Sequence, residues 1–151
     1  MKAFKNILFP IDFSECSEKV FPFALDMAKQ FDSKLHLLFV ARDISYLTML
    51  AIRRDRLTNI VTEIASAGEN QMKAFCDKQL GDFPNHETKV MIGEPAEEIV
   101  KFADEQGIDI IVLATHGRKS LDRTLMGNVA NHVIKNASVP VLTVNPFRLK
   151  V

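Results

Sequence analysis

A chain of 151 residues is the size of one domain with a substantial buried core, and its 47% hydrophobic and 25% charged residues are ordinary for a soluble globular protein. Lys plus Arg and Asp plus Glu both number 19, so no bulk field draws the chain to nucleic acid or to an anionic membrane, and no apolar run approaches the length of a membrane span. The two cysteines, Cys16 and Cys76, make neither a disulfide framework nor a metal-ligand spacing and read as free thiols.

Lys2 and Lys5 stand at the amino terminus, but Asp12 and Glu15 interrupt any signal-peptide core, so the expected compartment is the cytoplasm. Asn6 to Ile11 is an apolar run and reads as a first buried strand. Pro10 lies near its end, where a missing ladder donor does least harm. Asp12-Phe13-Ser14 follows at the carboxyl end of that strand, the side on which open α/β sheets place ligands. Asp12 can accept hydrogen bonds from a ribose hydroxyl pair. Asp12 or Ser14 can equally cap the next helix, and a carboxylate with about four acceptor sites can do both.

Glu15 to Phe31 carries Val20, Phe21, Ala24, Leu25, Met27, Ala28 and Phe31 at helical spacing, with Pro22 placed to kink the first turns. Lys34 to Ala41 is the second strand. His36 inside it reads as a packed strand residue, and Val40 stands at its carboxyl end, level with Asp12 if the two strands are parallel. Arg42 to Met49 reads as a loop. Leu50 to Leu80 is a long helical region with Ile52, Leu57, Ile60, Ile64, Met72 and Phe75 facing inward. Arg53 to Arg56 reads as a solvated face, and Gly68 as an irregularity.

Gly81 to Asn85 is a turn signal containing Pro84. His86 to Ile92 is the third strand, and Gly93-Glu94-Pro95 opens a helix with Pro95 near its first position. Ala96, Ile99, Val100 and Ala103 form its inward face, and Gly107 stops it. Asp109 to Ala114 is the fourth strand, Gly127 to Asn136 the last helix, and Val139 to Val144 the fifth strand, with Pro140 at its start or on an edge. Strands alternating with helices imply a parallel sheet with right-handed crossovers and helices on both faces. Spacing alone does not give the strand order.

The segment Ile108 to Val129, IDIIVLATHGRKSLDRTLMGNV, has the chemistry of an anion site. A buried strand, a glycine-bearing loop and a helix amino-terminus present backbone N–H groups and partial positive charge. Glycine allows close approach or positive φ. Arg118, Lys119 and Arg123 add charge offset only by Asp122. The competing reading is a plain turn with solvated basic residues.

Ala114-x-x-Gly117, nine residues, then Gly127-Asn128 resembles the G-x2-G-x9-G-(S/T) nucleotide motif of the universal stress protein family. NILFPIDFSE near the amino terminus and PVLTV near the carboxyl terminus are similar to that family, as is the order of elements between them. Ala114 stands where the first glycine is expected, and Asn128 where Ser or Thr is expected. The resemblance implies a Rossmann-like, adenine nucleotide alpha hydrolase-like fold, an open parallel five-stranded sheet of order 3-2-1-4-5 over residues 1–151. It implies ATP or AMP as ligand, with or without Mg2+ or Mn2+. Carried over by position, Pro10, Ile11, Asp12 and Val40 line the adenosine end, with Asp12 on the ribose hydroxyls and Val40 on the base. Ala114, Thr115, His116 and Gly117 wrap the ribose and first phosphate. Gly127, Asn128 and Val129 offer N–H groups to the distal phosphates, helped by Arg118 and Lys119.

Asn caps helices as well as Ser does, and its amide can donate to phosphate. Ala114 costs little backbone energy if it keeps strand dihedrals. The sequence holds no G-x-x-x-x-G-K-[ST] and no G-x-G-x-x-G, which argues against a P-loop NTPase or an ordinary dinucleotide dehydrogenase. Asp12 is the one carboxylate that can be placed in the crevice, so binding and signalling are expected rather than efficient catalysis, with at most slow ATP hydrolysis. His116 serves phosphate contact or acid–base work, or more simply packs in the turn and caps nearby backbone. His132 belongs to a surface or interface, and a His116–His132 pair lacks a third metal ligand. The resemblance also implies a homodimer through the last strand, Val139 to Val144; otherwise the tail from Asn145 to Val151 covers that edge. A dimeric interaction protein with an empty site is the alternative, and a further protein partner is unnamed by the sequence.

Overall fold

The computed structural model describes residues 3–43, 54–117 and 125–150. Within them β1 (Asn6–Ile11), α1 (Glu15–Phe31), β2 (Lys34–Arg42), α2 (Arg54–Gln79), β3 (His86–Gly93), α3 (Pro95–Glu105), β4 (Ile110–Ala114), α4 (Asn128–Asn136) and β5 (Val141–Val144) follow one another. The strands form one sheet of order β3-β2-β1-β4-β5, every neighbouring pair parallel. This is the 3-2-1-4-5 arrangement that the family resemblance implies.

The strands read as continuous apolar runs because both faces of the sheet are covered. Side chains alternate between faces with period two. Ile7, Phe9 and Ile11 of β1 join Leu35 and Leu37 of β2 beneath α1 and α2, against Phe21, Met72 and Phe75. Leu8, Leu38, Ile111 and Leu113 turn the other way, against Ile99 and Ala103 of α3 and Ala130 and Val133 of α4. Phe21 is the hub of the first layer, meeting Phe9 edge-on at 5.3 Å between centroids and Phe75 at 4.9 Å.

Helix α1 starts where the sequence places it, because the Ser14 side chain accepts the Ser17 N–H. It runs through Pro22, which sits on the exposed side. It ends at Asp32, whose left-handed φ of 52° turns the chain into β2. Gly68 corrects an expectation: it interrupts nothing, lying inside α2 where the helix crosses the sheet. A Cβ there would sit 2.9 Å from Val90 and 3.1 Å from Phe39, so glycine sets the approach distance.

Several boundaries shift by a residue or two. β2 extends to Arg42 and β3 to Gly93, while β4 begins at Ile110 because Asp109 turns its carboxylate to the chain instead. β5 begins at Val141 rather than Val139: Pro140 has no N–H, and it takes part through its carbonyl, which accepts from the Ile111 N–H at 3.0 Å. Residues 44–53, which include most of the expected loop after Arg42, together with Ile52 and Arg53, lie outside the described residues.

The amino-terminal end of the sheet is tied by polar contacts. Asp109 Oδ2 accepts from the Lys5 and Asn6 N–H groups at 2.9 Å each, and the Asp109 N–H donates to Asn6 O. The Ser33 hydroxyl donates to Phe4 O. His36, a buried strand residue as read from the sequence, places Nε2 3.1 Å from Asn6 Oδ1. Burial, reinforced by Lys34, lowers its pKa from the ordinary 6.5, against the pull of Glu87.

Candidate functional site

The site is built where β1 and β4 end side by side and the crossover direction reverses. Ile11 of β1 is level with Phe39 of β2, which brings Asp12 level with Val40. On the other side Ile111 is level with Leu8, which brings Ala114 level with Ile11. β1 connects to α1 on one face and β4 toward α4 on the other, so their carboxyl ends diverge and leave a crevice.

Asp12 is the polar centre. Its Oδ1 accepts the Ser14 N–H at 2.9 Å and the Ser17 hydroxyl at 2.7 Å, while its own N–H reaches Ser17 Oγ at 3.3 Å. Phe13, between Asp12 and Ser14, adopts φ 59°. That conformation costs a non-glycine residue about 1–2 kcal/mol. Packing offsets it: the Phe13 ring lies 4.6 Å from Phe39 and 6.3 Å from Phe75. The turn is thus held in a shape that aims the Asp12 side chain across to β4.

There it meets Gly117. A Cβ on Gly117 would fall 2.5 Å from Asp12 Oδ2, closer than atoms can stand. Gly127 is the next constraint: its N–H donates to Thr115 O at 2.8 Å, and a Cβ would lie 3.3 Å from that same oxygen. Neither glycine is there for left-handed geometry, which among the described glycines belongs to Gly81 and Gly107. Close approach is the reason for both. Ala114 keeps ordinary strand geometry at the end of β4, so the methyl group there carries no backbone penalty.

Helix α4 points its amino-terminus into the same crevice. Gly127 is its N-cap, with φ −62° and ψ 153°, and no side chain caps the first turn. Asn128 was expected to cap; it is instead the first helical residue, because Gly127 already supplies the carbonyl that accepts the Asn131 N–H. The first N–H groups of α4 therefore have no acceptor within the helix.

His116 is 4% exposed. Its Nδ1 pairs with the Thr115 hydroxyl at 2.7 Å, its ring meets Phe147 edge-on at 5.0 Å, and its buried Nε2 has no hydrogen-bond partner. It does not cap backbone, as the simpler sequence reading had it. His132 lies elsewhere, in the groove between α3 and α4. Among the described residues no three His, Cys, Asp or Glu side chains cluster as metal ligands.

Pro10, Ile11, Asp12, Val40, Ala114, Thr115, His116, Gly117, Gly127, Asn128 and Val129 all line one cleft of about 670 Å³, a volume in the range of small-molecule sites. Arg118 and Lys119 lie outside the described residues. Sequence reasoning missed Ser17, Arg42, Pro95, Ile99, Leu125 and Met126, which line the same cleft. Arg42 follows Val40 by two residues and holds Glu94 through two 3.0 Å contacts at the rim. Leu125 and Met126, 66% and 44% exposed, stand immediately before Gly127. Ser17 was legible as a serine three residues after the cap.

The donor set suits a nucleotide. A fixed carboxylate acceptor and the uncapped helix N–H donors stand on either side of Gly117, and apolar side chains from β2 and α3 line the same cleft.

The sequence profile of the universal stress protein family matches residues 3–145. The chain is 34% identical over 163 aligned positions to universal stress protein MJ0577 of Methanocaldococcus jannaschii, covering 93% of this chain and 94% of that one. The solved structure of MJ0577 matches with a TM-score of 0.79 over 99% of this chain and 100% of the other, at 28% identity. UspA of Lactobacillus plantarum matches with a TM-score of 0.80 at 24% identity, covering 96% and 100% of the two chains. Two more distant fold neighbours carry ligands: a universal stress protein in complex with cAMP (TM-score 0.62, 19% identity, 96% and 99% covered) and one from Archaeoglobus fulgidus in complex with dAMP (0.57, 22%, 95% and 100%).

Proposed function

The chain belongs to the universal stress protein family, and we propose that within it this protein is an adenine-nucleotide-binding module, a cytoplasmic homodimer whose ligand state alters partner contacts. The observation that carries the reading is the meeting of Asp12 with Gly117 beneath the uncapped first turn of α4. It puts a fixed acceptor and a set of helix N–H donors close together in one cleft, a pairing that suits ribose hydroxyls and the phosphates beside them. Two fold neighbours that hold adenine mononucleotides support the choice of ligand class.

In this reading Asp12 receives the ribose hydroxyls, and Pro10, Ile11 and Val40 hold the base end. Ala114 to Gly117 wrap the sugar and first phosphate. The N–H groups of Asn128 and Val129 take the distal phosphates, since a helix amino-terminus favours negative charge. Arg118 and Lys119 add positive charge in sequence. Any Mg2+ or Mn2+ is carried chiefly by the phosphates, as these ions usually bind few protein groups. Residues 1–151 act as one domain, and β5, with Leu142 39% exposed, pairs with its twofold copy.

The test is to purify the protein without added nucleotide, denature it, chromatograph the supernatant, and titrate ATP and AMP calorimetrically. Co-purifying or tightly titrating nucleotide is expected, with turnover below about 1 per second. No nucleotide and no binding heat at several temperatures overturns the proposal and moves function to the surface of the protein.

A further inference from the structure

Ser17 is a buried hydroxyl in the first turn of α1, 5% exposed, and it lines the cleft. Its bonding departs from what helix capping requires. In a capping box the third helical residue returns a bond to the N–H of the N-cap. Here the Ser14 N–H goes to Asp12 Oδ1 instead, and the Ser17 hydroxyl donates to the same oxygen at 2.7 Å. Ser17 Oγ in turn faces the Asp12 N–H at 3.3 Å and the Ser14 side chain caps the Ser17 N–H. The polar groups that would reciprocate within α1 converge on Asp12.

On the other side Gly117 bounds the carboxylate, with its Cα edge against Oδ2. Two donors on Oδ1, with Gly117 close against Oδ2, are thus among the contacts that set the Asp12 side chain. A carboxylate left to rotate about its terminal torsion samples a broad range; this one is held in one orientation.

We infer that Ser17 is a positioning residue for the sugar subsite: it orients Asp12 so that the cleft distinguishes a nucleotide with both ribose hydroxyls from a deoxynucleotide. The inference rests on the nucleotide reading given above. It does not ask Ser17 to touch the ligand. Its effect passes through Asp12, and that gives it a signature different from a stabilising role.

Calorimetric titration of ATP, 2′-deoxy-ATP and 3′-deoxy-ATP into the wild type, Ser17→Ala and Ser14→Ala tests this, with thermal melts alongside. Ser17→Ala should weaken ATP by about tenfold, the worth of one hydrogen bond to a charged group. The deoxy analogues should weaken less, so the ribo-to-deoxy preference shrinks. Ser14→Ala removes the helix cap but leaves the Ser14 N–H on Asp12. It should lower the melting temperature while keeping that preference. In an Asp12→Ala background, which has no oxygen for Ser17 to orient, adding Ser17→Ala should change ATP affinity no further, since the two residues act as one unit. An unchanged preference in Ser17→Ala, an equal loss for all three ligands, or additive losses with Asp12→Ala overturns the positioning role while leaving the nucleotide site standing. Absence of ATP binding by the wild type overturns both.

Discussion

The two ends of the sheet contain similar polar groups put to different use. At the amino-terminal end Asp109 takes two backbone N–H groups, Ser33 bonds Phe4 O, and His36 pairs with Asn6. Each contact joins one chain segment to another, and the network closes on itself. At the carboxyl-terminal end Phe13 is in left-handed geometry, α4 begins without a side-chain cap, and His116 Nε2 is buried without a partner. Buried polar groups are nearly always bonded, and exceptions gather at functional sites. The comparison teaches that a carboxylate at a strand end is not diagnostic by itself. Asp109 closes a network of chain contacts, while Asp12 sits among groups left open toward a cleft.

The largest expected effect comes at the open end. Gly127→Val places a branched side chain against Thr115 O, already 3.3 Å from a simple Cβ, and blocks the first turn of α4. Each phosphate–N–H bond lost costs about tenfold or more in affinity, so ATP titration should show binding abolished while the elution volume on a sizing column stays that of the wild type. Unchanged affinity would remove the phosphate assignment.

The closed end should respond in the opposite currency. Asp109→Ala strands the Lys5 and Asn6 N–H groups and is expected to cost about 2–4 kcal/mol in urea unfolding. Nucleotide affinity measured below the unfolding transition should stay at the wild-type value. A joint loss of stability and affinity would show that the ends are not separable.

A smaller effect sharpens the contrast by pH. The folded state holds His36 below its ordinary 6.5, by burial first and by Lys34 second. The unfolded chain therefore binds the proton first as pH falls. The stability from neutral His36 is present above about 6.5 and is lost on acidification toward its folded pKa. The Glu87 carboxyl, lowered by its hydrogen bond from Lys34, loses its contribution in a separate window below the usual 4.5. Urea midpoints taken from pH 7.5 down to 5.5 should fall for wild type and stay flat for His36→Gln. A flat wild-type profile would argue against the assignment.

The smallest effect is expected where the motif departs from the family pattern. Ala114 keeps strand geometry, so Ala114→Gly should move ATP affinity by no more than about twofold, the scale of substitutions without a structural mechanism. A large gain would show that the methyl group crowds the sugar.

Local chemistry made much of this legible. The ends of β1 and α1 fall where apolar runs, Ser14 and the helical stripe put them. Eleven of the expected cleft residues do line one cleft, because strand ends and a helix start carry their own signals. What stayed hidden depends on partners distant in sequence. Spacing near Gly117 does not announce Asp12, which only the strand order implied by the resemblance sets beside the Ala114–Gly117 turn, and nothing near Gly68 announces Phe39 and Val90. Asn128 looked like the cap because Asn is a good cap. The choice fell on Gly127 through its bonds to Thr115 and Asn131. Of the two reasons the sequence offers for Gly117 and Gly127, close approach and unusual φ, the structure favours the first, and the close neighbours are atoms of the chain itself. Phe13 could not be anticipated, since aromatic residues rarely take its conformation.

The contact between Gly117 and Asp12 also limits how this sequence can drift. Because any Cβ on Gly117 would overlap the carboxylate as it stands, a larger residue there requires Asp12 to leave its present orientation or to be shortened. A shortened Asp12 in turn removes the reason for glycine. The two positions form one heritable unit, and lineages that abandon the cleft should lose both together, leaving the closed network at the other end of the sheet untouched.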